Sequence, residues 1–185
     1  MSTKIIATVG LCGAGKSVIS DYLEKQGFIK VYFGGITIEE IKKRGLEVNE
    51  KNERLVREEL RKLYGMDAYA ILSLSKIEKA IHEGKNVLID GLYSFTEYKI
   101  LKKQFSDSLL VIATFTPRKL RYERLCQRPN RPLTRKEAIS RDFAEIDNIE
   151  KGGPIALADY TLINHSSVSY LIKGLTKILK QEKIV

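Results

Sequence analysis

Gly10-Leu11-Cys12-Gly13-Ala14-Gly15-Lys16-Ser17 fits the pattern G-x-x-x-x-G-K-[ST] at every fixed position. Glycines in such a turn let the backbone curl until consecutive N–H groups converge on phosphate oxygens. The helix expected to start there adds partial positive charge at the same point. Lys16 can reach the β- and γ-phosphates of a nucleotide, and the Ser17 hydroxyl can ligate Mg²⁺. Gly10, Cys12, Gly13, Ala14, Gly15, Lys16, Ser17 and Val18 are therefore the candidate ATP-binding set. The position of Cys12 needs little side-chain specificity. Against this stand a chance glycine-rich turn and a loop that has lost its ligand.

Asp90 is the second candidate. It ends an apolar run, Asn86-Val87-Leu88-Ile89-Asp90. An acidic residue there holds Mg²⁺ or takes the proton of an acceptor hydroxyl. The bland alternative is a cap on the turn with Gly91. Arginines form the third group. Nine basic residues and only Glu123 and Glu137 as acids lie between Arg118 and Arg141. Arg118, Arg121 and Arg124 are three apart, so on a helix they share one broad face. Arg128 and Arg131 follow in a proline-bearing loop, and Arg141 on the next helix. Phosphoryl transfer develops charge that such cations stabilise, so the segment suggests an arginine-rich lid over nucleotide. A solvated basic face is the alternative. Arg54 and Arg61, seven apart on an earlier helix, suit either an acceptor phosphate or surface ion pairs. Tyr93 and Phe95 suit ring stacking or core packing. His82 and His165 show no partner pattern.

The elements that must position these residues alternate. Apolar, β-prone runs span 4–9, 28–33, 86–90, 109–115 and 159–163, with helical spacing between them. The expected helices cover 16–26, 36–44, 49–64, 67–83, 94–104, 116–127, 134–150 and 167–181. Ser94 with Glu97, and Thr134 with Glu137, have capping-box spacing. Gly152, Gly153 and Pro154 are expected to break the helix that precedes them. This order predicts a parallel sheet with helices on both faces. Strand ends on one edge of such a sheet bind ligand, and Asp90 is on it. The segments 36–83 and 117–150 exceed a minimal crossover and are candidate insertions.

The chain has 185 residues, a net charge of +9 and 43% hydrophobic residues, which suits one domain, 1–185, with a sizeable core. No apolar run approaches a membrane span. The opening MSTKIIATVG has a minimal basic region and Gly10 interrupts its apolar stretch, so it is not expected to be a signal peptide. Cys12 and Cys126 lack metal-ligand spacing, and a reducing cytoplasm is the expected compartment. The positive charge is concentrated in the arginine segment, so nucleic acid is not the expected partner.

Four segments resemble nucleoside-monophosphate-kinase-like P-loop proteins, and within them dephospho-CoA kinases and adenylate-kinase-related proteins. These are GLCGAGKS at 10–17, NVLIDG at 86–91, TPRKLRYERL at 116–125 and RDFAEIDNIEKGGPIALADYTLIN at 141–164. The resemblance implies a three-layer P-loop NTPase fold with five parallel strands in the order 2-3-1-4-5. It implies an acceptor-binding insertion at 36–83 and an arginine lid at 117–150. It turns Arg121, Arg124 and Arg141 toward the ATP phosphates, which with Lys16 and Asp90 makes the candidate catalytic set, and Ser17 and Asp90 are the candidate metal ligands. Arg118 would bind nucleotide, and Asn164 would lie near the adenine. ATP and Mg²⁺ are the implied cofactors, and a monomer or weak homodimer the expected state. One segment departs from the family. Dephospho-CoA kinases usually end the second strand with an aspartate-containing segment, and here it reads Tyr32-Phe33-Gly34-Gly35. Either Asp90 takes over that task, or the acceptor is already ionised, as a phosphate is. The glycines would also admit a ligand close to the backbone. The expected activity is transfer of the γ-phosphoryl of ATP to a nucleoside monophosphate or dephospho-CoA type of acceptor. The alternatives are a nucleotide-dependent switch or nucleic-acid-binding ATPase, and a protein with a vestigial P-loop.

Overall fold

A computed structural model describes residues 3–184. Ile5–Val9 forms β1, and all five of its residues are buried. A strand covered on both faces has no solvent side, which is why it reads as an unbroken apolar run. Ile5, Ala7 and Val9 enter one core, while Ile6 enters a second on the opposite face.

The chain continues through α1 (Lys16–Lys25), β2 (Ile29–Tyr32), α2 (Phe33–Lys43), α3 (Glu50–Tyr64), α4 (Ala68–His82), β3 (Val87–Asp90) and α5 (Phe95–Phe105). It then runs through β4 (Leu109–Phe115), α6 (Arg118–Gln127), α7 (Arg135–Asp147), α8 (Gly152–Ala156), β5 (Tyr160–Ile163) and α9 (Val168–Gln181). The strands form one parallel sheet in the order β2-β3-β1-β4-β5. Helices α2 to α5 bury apolar residues in the core of Ile5, and α1 and α9 in that of Ile6. A third small cluster joins α6 and α7 through Tyr122, Leu125 and Ala138, with Cys12 packed against it. Among the described residues no helix is long and apolar enough to cross a membrane.

Two local expectations need correction. Strand β2 ends at Tyr32, and α2 begins at Phe33, so Gly34 and Gly35 lie in the first helical turn. Gly34 lines the main cavity, with the Tyr32 ring packed beside it. A Cβ there would stand 2.5 Å from the Tyr32 hydroxyl, so the glycine admits that ring. Helix α7 ends at Asp147, ahead of Gly152-Gly153-Pro154, but these residues then open the short α8, since proline is tolerated in a first helical turn. Gly153 is required by packing: a Cβ would meet Phe95 Cδ2 at 2.7 Å.

Both capping boxes form. Asn49 caps α3 by accepting from the Asn52 amide at 3.0 Å, whereas Asp67 precedes α4 without a side-chain cap bond. In the first box, Glu97 Oε2 accepts from the amides of Tyr93 and Ser94, both at 2.9 Å. Glu97 is fully buried. Burial raises its pKa to about 7, opposed by Arg61 and the two amides. A carboxyl that holds its proton more tightly folded than unfolded stabilises the fold fully below its unfolded pKa. That contribution is lost as pH rises through the folded value. Stability is therefore expected to fall between about pH 4.5 and 7, by on the order of 3 kcal/mol from this group. Urea unfolding across that range checks it: Glu97→Gln should flatten the decline, and an unchanged slope would contradict the assignment.

Candidate functional site

The turn from β1 into α1 is built for close backbone approach. Gly13 and Gly15 have φ of 81° and 97°, in the left-handed region that side chains disfavour. Neither position has room for a side chain. A Cβ at Gly13 would lie 2.9 Å from the Arg121 carbonyl oxygen, and one at Gly15 only 2.1 Å from Asn164 Nδ2. Gly15 stands at the N-cap of α1, so the free amides of the first helical turn face the loop. Lys16 Nζ donates to the loop's own carbonyls, Gly10 at 2.7 Å and Leu11 at 3.2 Å.

The loop is fixed from beneath by the ends of β4 and β5. Asn164 Nδ2 donates to the Ala14 carbonyl at 2.9 Å, and Thr116 Oγ1 lies 2.9 Å from the same oxygen. Asn164 is thus brought against the loop backbone and also lines the cavity above it. Parallel register sets Asp90 opposite Thr8 of β1 on one side and Tyr32 of β2 on the other. The Leu92 amide then donates to the Thr8 carbonyl at 3.0 Å, drawing the segment after β3 against the loop.

One cavity of about 550 Å³ joins Lys16, Ser17, Asp90, Arg124, Arg141 and Asn164. Cys12, Gly13, Gly15 and Val18 line it as well. Gly10 and Ala14 contribute only carbonyls beneath it. Asp90 Oδ2 lies 3.5 Å from Lys30 Nζ. A second cavity of about 580 Å³ shares Arg57, Tyr93, Arg141 and Glu145 with the first and contains Arg54 and Arg61. Arg54 pairs with Glu58, and Arg61 lies over the Tyr69 ring at 4.9 Å.

Two arginines lie elsewhere than expected. Arg118 is exposed on the first turn of α6, outside the cavity. Arg121 is 4% exposed and forks onto both oxygens of Asp142, at 2.8 and 2.6 Å. Its Nη1 also donates to the Cys12 carbonyl at 3.0 Å. It joins α6, α7 and the loop backbone instead of facing the cavity. Tyr93 meets Tyr69 edge to face, and Phe95 stacks on Tyr98. His82 and His165 are exposed.

Several lining residues escaped sequence reasoning. Glu50 of α3 pairs with Arg57 and Arg141, and Glu53 pairs with Arg57 and Arg131. Glu145 lies 3.3 Å from Arg141 Nε and 2.9 Å from Lys151 Nζ. Burial works against its charge, but Lys151, Arg141 and Lys16 hold its pKa at about 2. The four-residue step from Arg141 to Glu145 was a readable signal; the Glu50 and Glu53 pairings across segments left none.

The residues fit nucleotide and metal. The loop has the cradle that a Cβ would fill. Ser17 and Asp90 offer the few oxygen ligands that Mg²⁺ takes from protein when phosphates and water complete its shell.

Sheet order, loop and cavity together define a P-loop kinase fold. Residues 6–146 match the family model of an AAA domain. A UPF0200 protein of Thermococcus gammatolerans is 35% identical over 184 residues, covering 98% of this chain and 95% of the relative. The chain belongs to this UPF0200 family. Among solved structures, shikimate kinase from Bacteroides thetaiotaomicron is similar with a TM-score of 0.61 at 12% identity, covering 96% of this chain and 98% of that one. Dephospho-CoA kinase from Campylobacter jejuni gives 0.55 at 18% identity, with 96% and 98% covered. At such identities the likeness is one of fold.

Proposed function

We propose that this protein transfers the γ-phosphoryl group of ATP to a small nucleotide-like acceptor, of nucleoside monophosphate or dephospho-CoA type. One observation carries this: a single cavity runs from the phosphate loop past Asp90 to Tyr32, Thr37 and Arg57. Two substrates can therefore meet beside the strand ends. In this reading α2 to α4 form the acceptor side, and α6 to α7 a lid bearing Arg124, Arg128, Arg131 and Arg141.

The loop amides and Lys16 bind and orient the polyphosphate. Ser17 and Asp90 would hold Mg²⁺, which would supply positive charge to offset that of the phosphates. An acceptor oxygen forms a bond to the γ-phosphorus as the bond to the β–γ bridging oxygen breaks, and ADP leaves. A hydroxyl acceptor gives its proton to Asp90; an ionised phosphate needs no base. The missing carboxylate after β2 favours the phosphate. Arg57, Arg131 and Arg141 are paired to Glu50 and Glu53, and incoming phosphates would exchange with those carboxylates.

Coupled detection of ADP over nucleotides, nucleosides and CoA precursors tests this. Acceptor-dependent ADP release is expected from at least one class. ATP turnover that no acceptor stimulates would overturn the reading.

A further inference from the structure

Lys151 follows α7 and is 1% exposed, yet it lines the same cavity as Lys16 and Asp90. Its Nζ stands 2.9 Å from Glu145 Oε2 and 4.8 Å from the centre of the Tyr93 ring. An ammonium carries three donors. One carboxylate oxygen and an aromatic face leave some of them without an acceptor. Glu145 is also shared, since Arg141 Nε lies 3.3 Å away on its other oxygen.

The surrounding charges are unequal. Arg141 and Glu145 face Lys151 from α7, Lys16 from the start of α1, Tyr93 from the segment after β3, and Glu97 from α5. Lys16, Arg141 and Lys151 thus converge on Glu145; Glu50 of α3 also pairs with Arg141 but is itself shared with Arg57, and Glu97 keeps its proton to about pH 7. Buried surplus positive charge is costly unless an anion enters to balance it. The cavity they line is the one entered from the phosphate loop.

We propose that Lys151 is a phosphate-contacting residue, a second lysine beside Lys16 that donates to the polyphosphate of the bound nucleotide. This rests on the ATP-binding reading above. Its consequence is a proton count. Burial lowers Lys151 to about 8, with Glu145 opposing and Lys16 and Arg141 adding to the fall. Phosphate oxygens favour the charged form and raise it again. Nucleotide binding near pH 8 must therefore take up a fraction of a proton that binding near pH 6.5 does not.

Calorimetric titration with Mg·ATP, in buffers of different ionisation enthalpy at pH 6.5 and 8, reads this count. Wild type should take up about half a proton per nucleotide at pH 8 and almost none at pH 6.5. Lys151→Arg keeps a permanent charge, so it should bind within a few-fold of wild type with the uptake lost. Lys151→Met should lose the uptake and bind roughly tenfold more weakly or worse. Cys12→Ser should retain the uptake, which excludes the loop thiol as its source. Thermal melts of the variants separate a folding defect from a lost contact, and the arginine variant tests the proton count if the methionine variant does not fold. Uptake that persists in Lys151→Arg, or vanishes in Cys12→Ser, would overturn the proposal and leave Lys151 as the partner of Glu145 alone. ATP binding without any uptake in wild type would do the same while sparing the loop. No ATP binding at all would sink the nucleotide reading itself.

Discussion

Arg121→Ala should lower the unfolding free energy by about 3–5 kcal/mol, the usual loss when half of a buried ion pair is removed. Both guanidinium nitrogens that meet Asp142 are engaged, and the pair's side chains are only 5% and 9% exposed. Without Arg121 the carboxylate keeps only the Tyr122 hydroxyl, at 2.9 Å. The Cys12 carbonyl loses its donor as well, so the loop loosens with the α6–α7 arm. Arg124→Ala should behave differently. Its Nη1 reaches the Asn164 carbonyl only at 3.3 Å, and its side chain lines the cavity. That variant should stay within about 1 kcal/mol of wild type and lose on the order of 10²-fold in kcat. Denaturant titration and initial rates of both variants check the contrast. Equal stability of Arg121→Ala and wild type would refute the structural role.

Asp90→Asn should lower kcat by about 10²–10⁴-fold, the range for a lost acid–base or charge-bearing group. The substitution keeps the shape but removes the negative charge and turns one acceptor oxygen into an NH₂ donor, so the contact with Lys30 weakens too. Asp90 pairs in register with Thr8 ahead of the loop and its carboxylate faces Lys30, so Mg-free nucleotide should still bind within a few-fold. Two signatures separate its possible tasks. A metal ligand lets excess Mg²⁺ restore part of the rate. A base makes hydroxyl acceptors suffer far more than phosphate acceptors. Turnover within about twofold of wild type would exclude both.

The loop and Asp90 were legible because their chemistry is local. The loop is eight consecutive residues, and Asp90 ends a strand whose apolar run is unmistakable. The order of the sheet came through resemblance, since alternation alone implies a parallel sheet but not which strand lies where. The arginines were only partly legible. At 3.6 residues per turn, each three-residue step falls about 60° short of a full turn. Arg118, Arg121 and Arg124 therefore fan across the helix, one toward solvent, one onto Asp142 and one into the cavity. Spacing cannot say which is which, because the neighbours that decide it come from α7 and the loop. Lys151 was hidden for a related reason. It precedes a Gly-Gly-Pro sequence that reads as a break, and its buried partners, Glu145 and Tyr93, come from α7 and the segment after β3. Glu50 and Glu53 looked like ordinary acids of an exposed helix, and their arginine partners include residues almost 80 or more positions away.

The most direct measurement is calorimetric titration of wild type and Lys16→Ala with Mg·ATP. One saturable site per chain is predicted for wild type, with affinity more than roughly tenfold weaker in the variant, because a charged donor to the phosphates is gone. Equal affinity in the two proteins, or no saturable binding to wild type, would contradict a phosphate-cradling loop and the phosphotransfer built upon it.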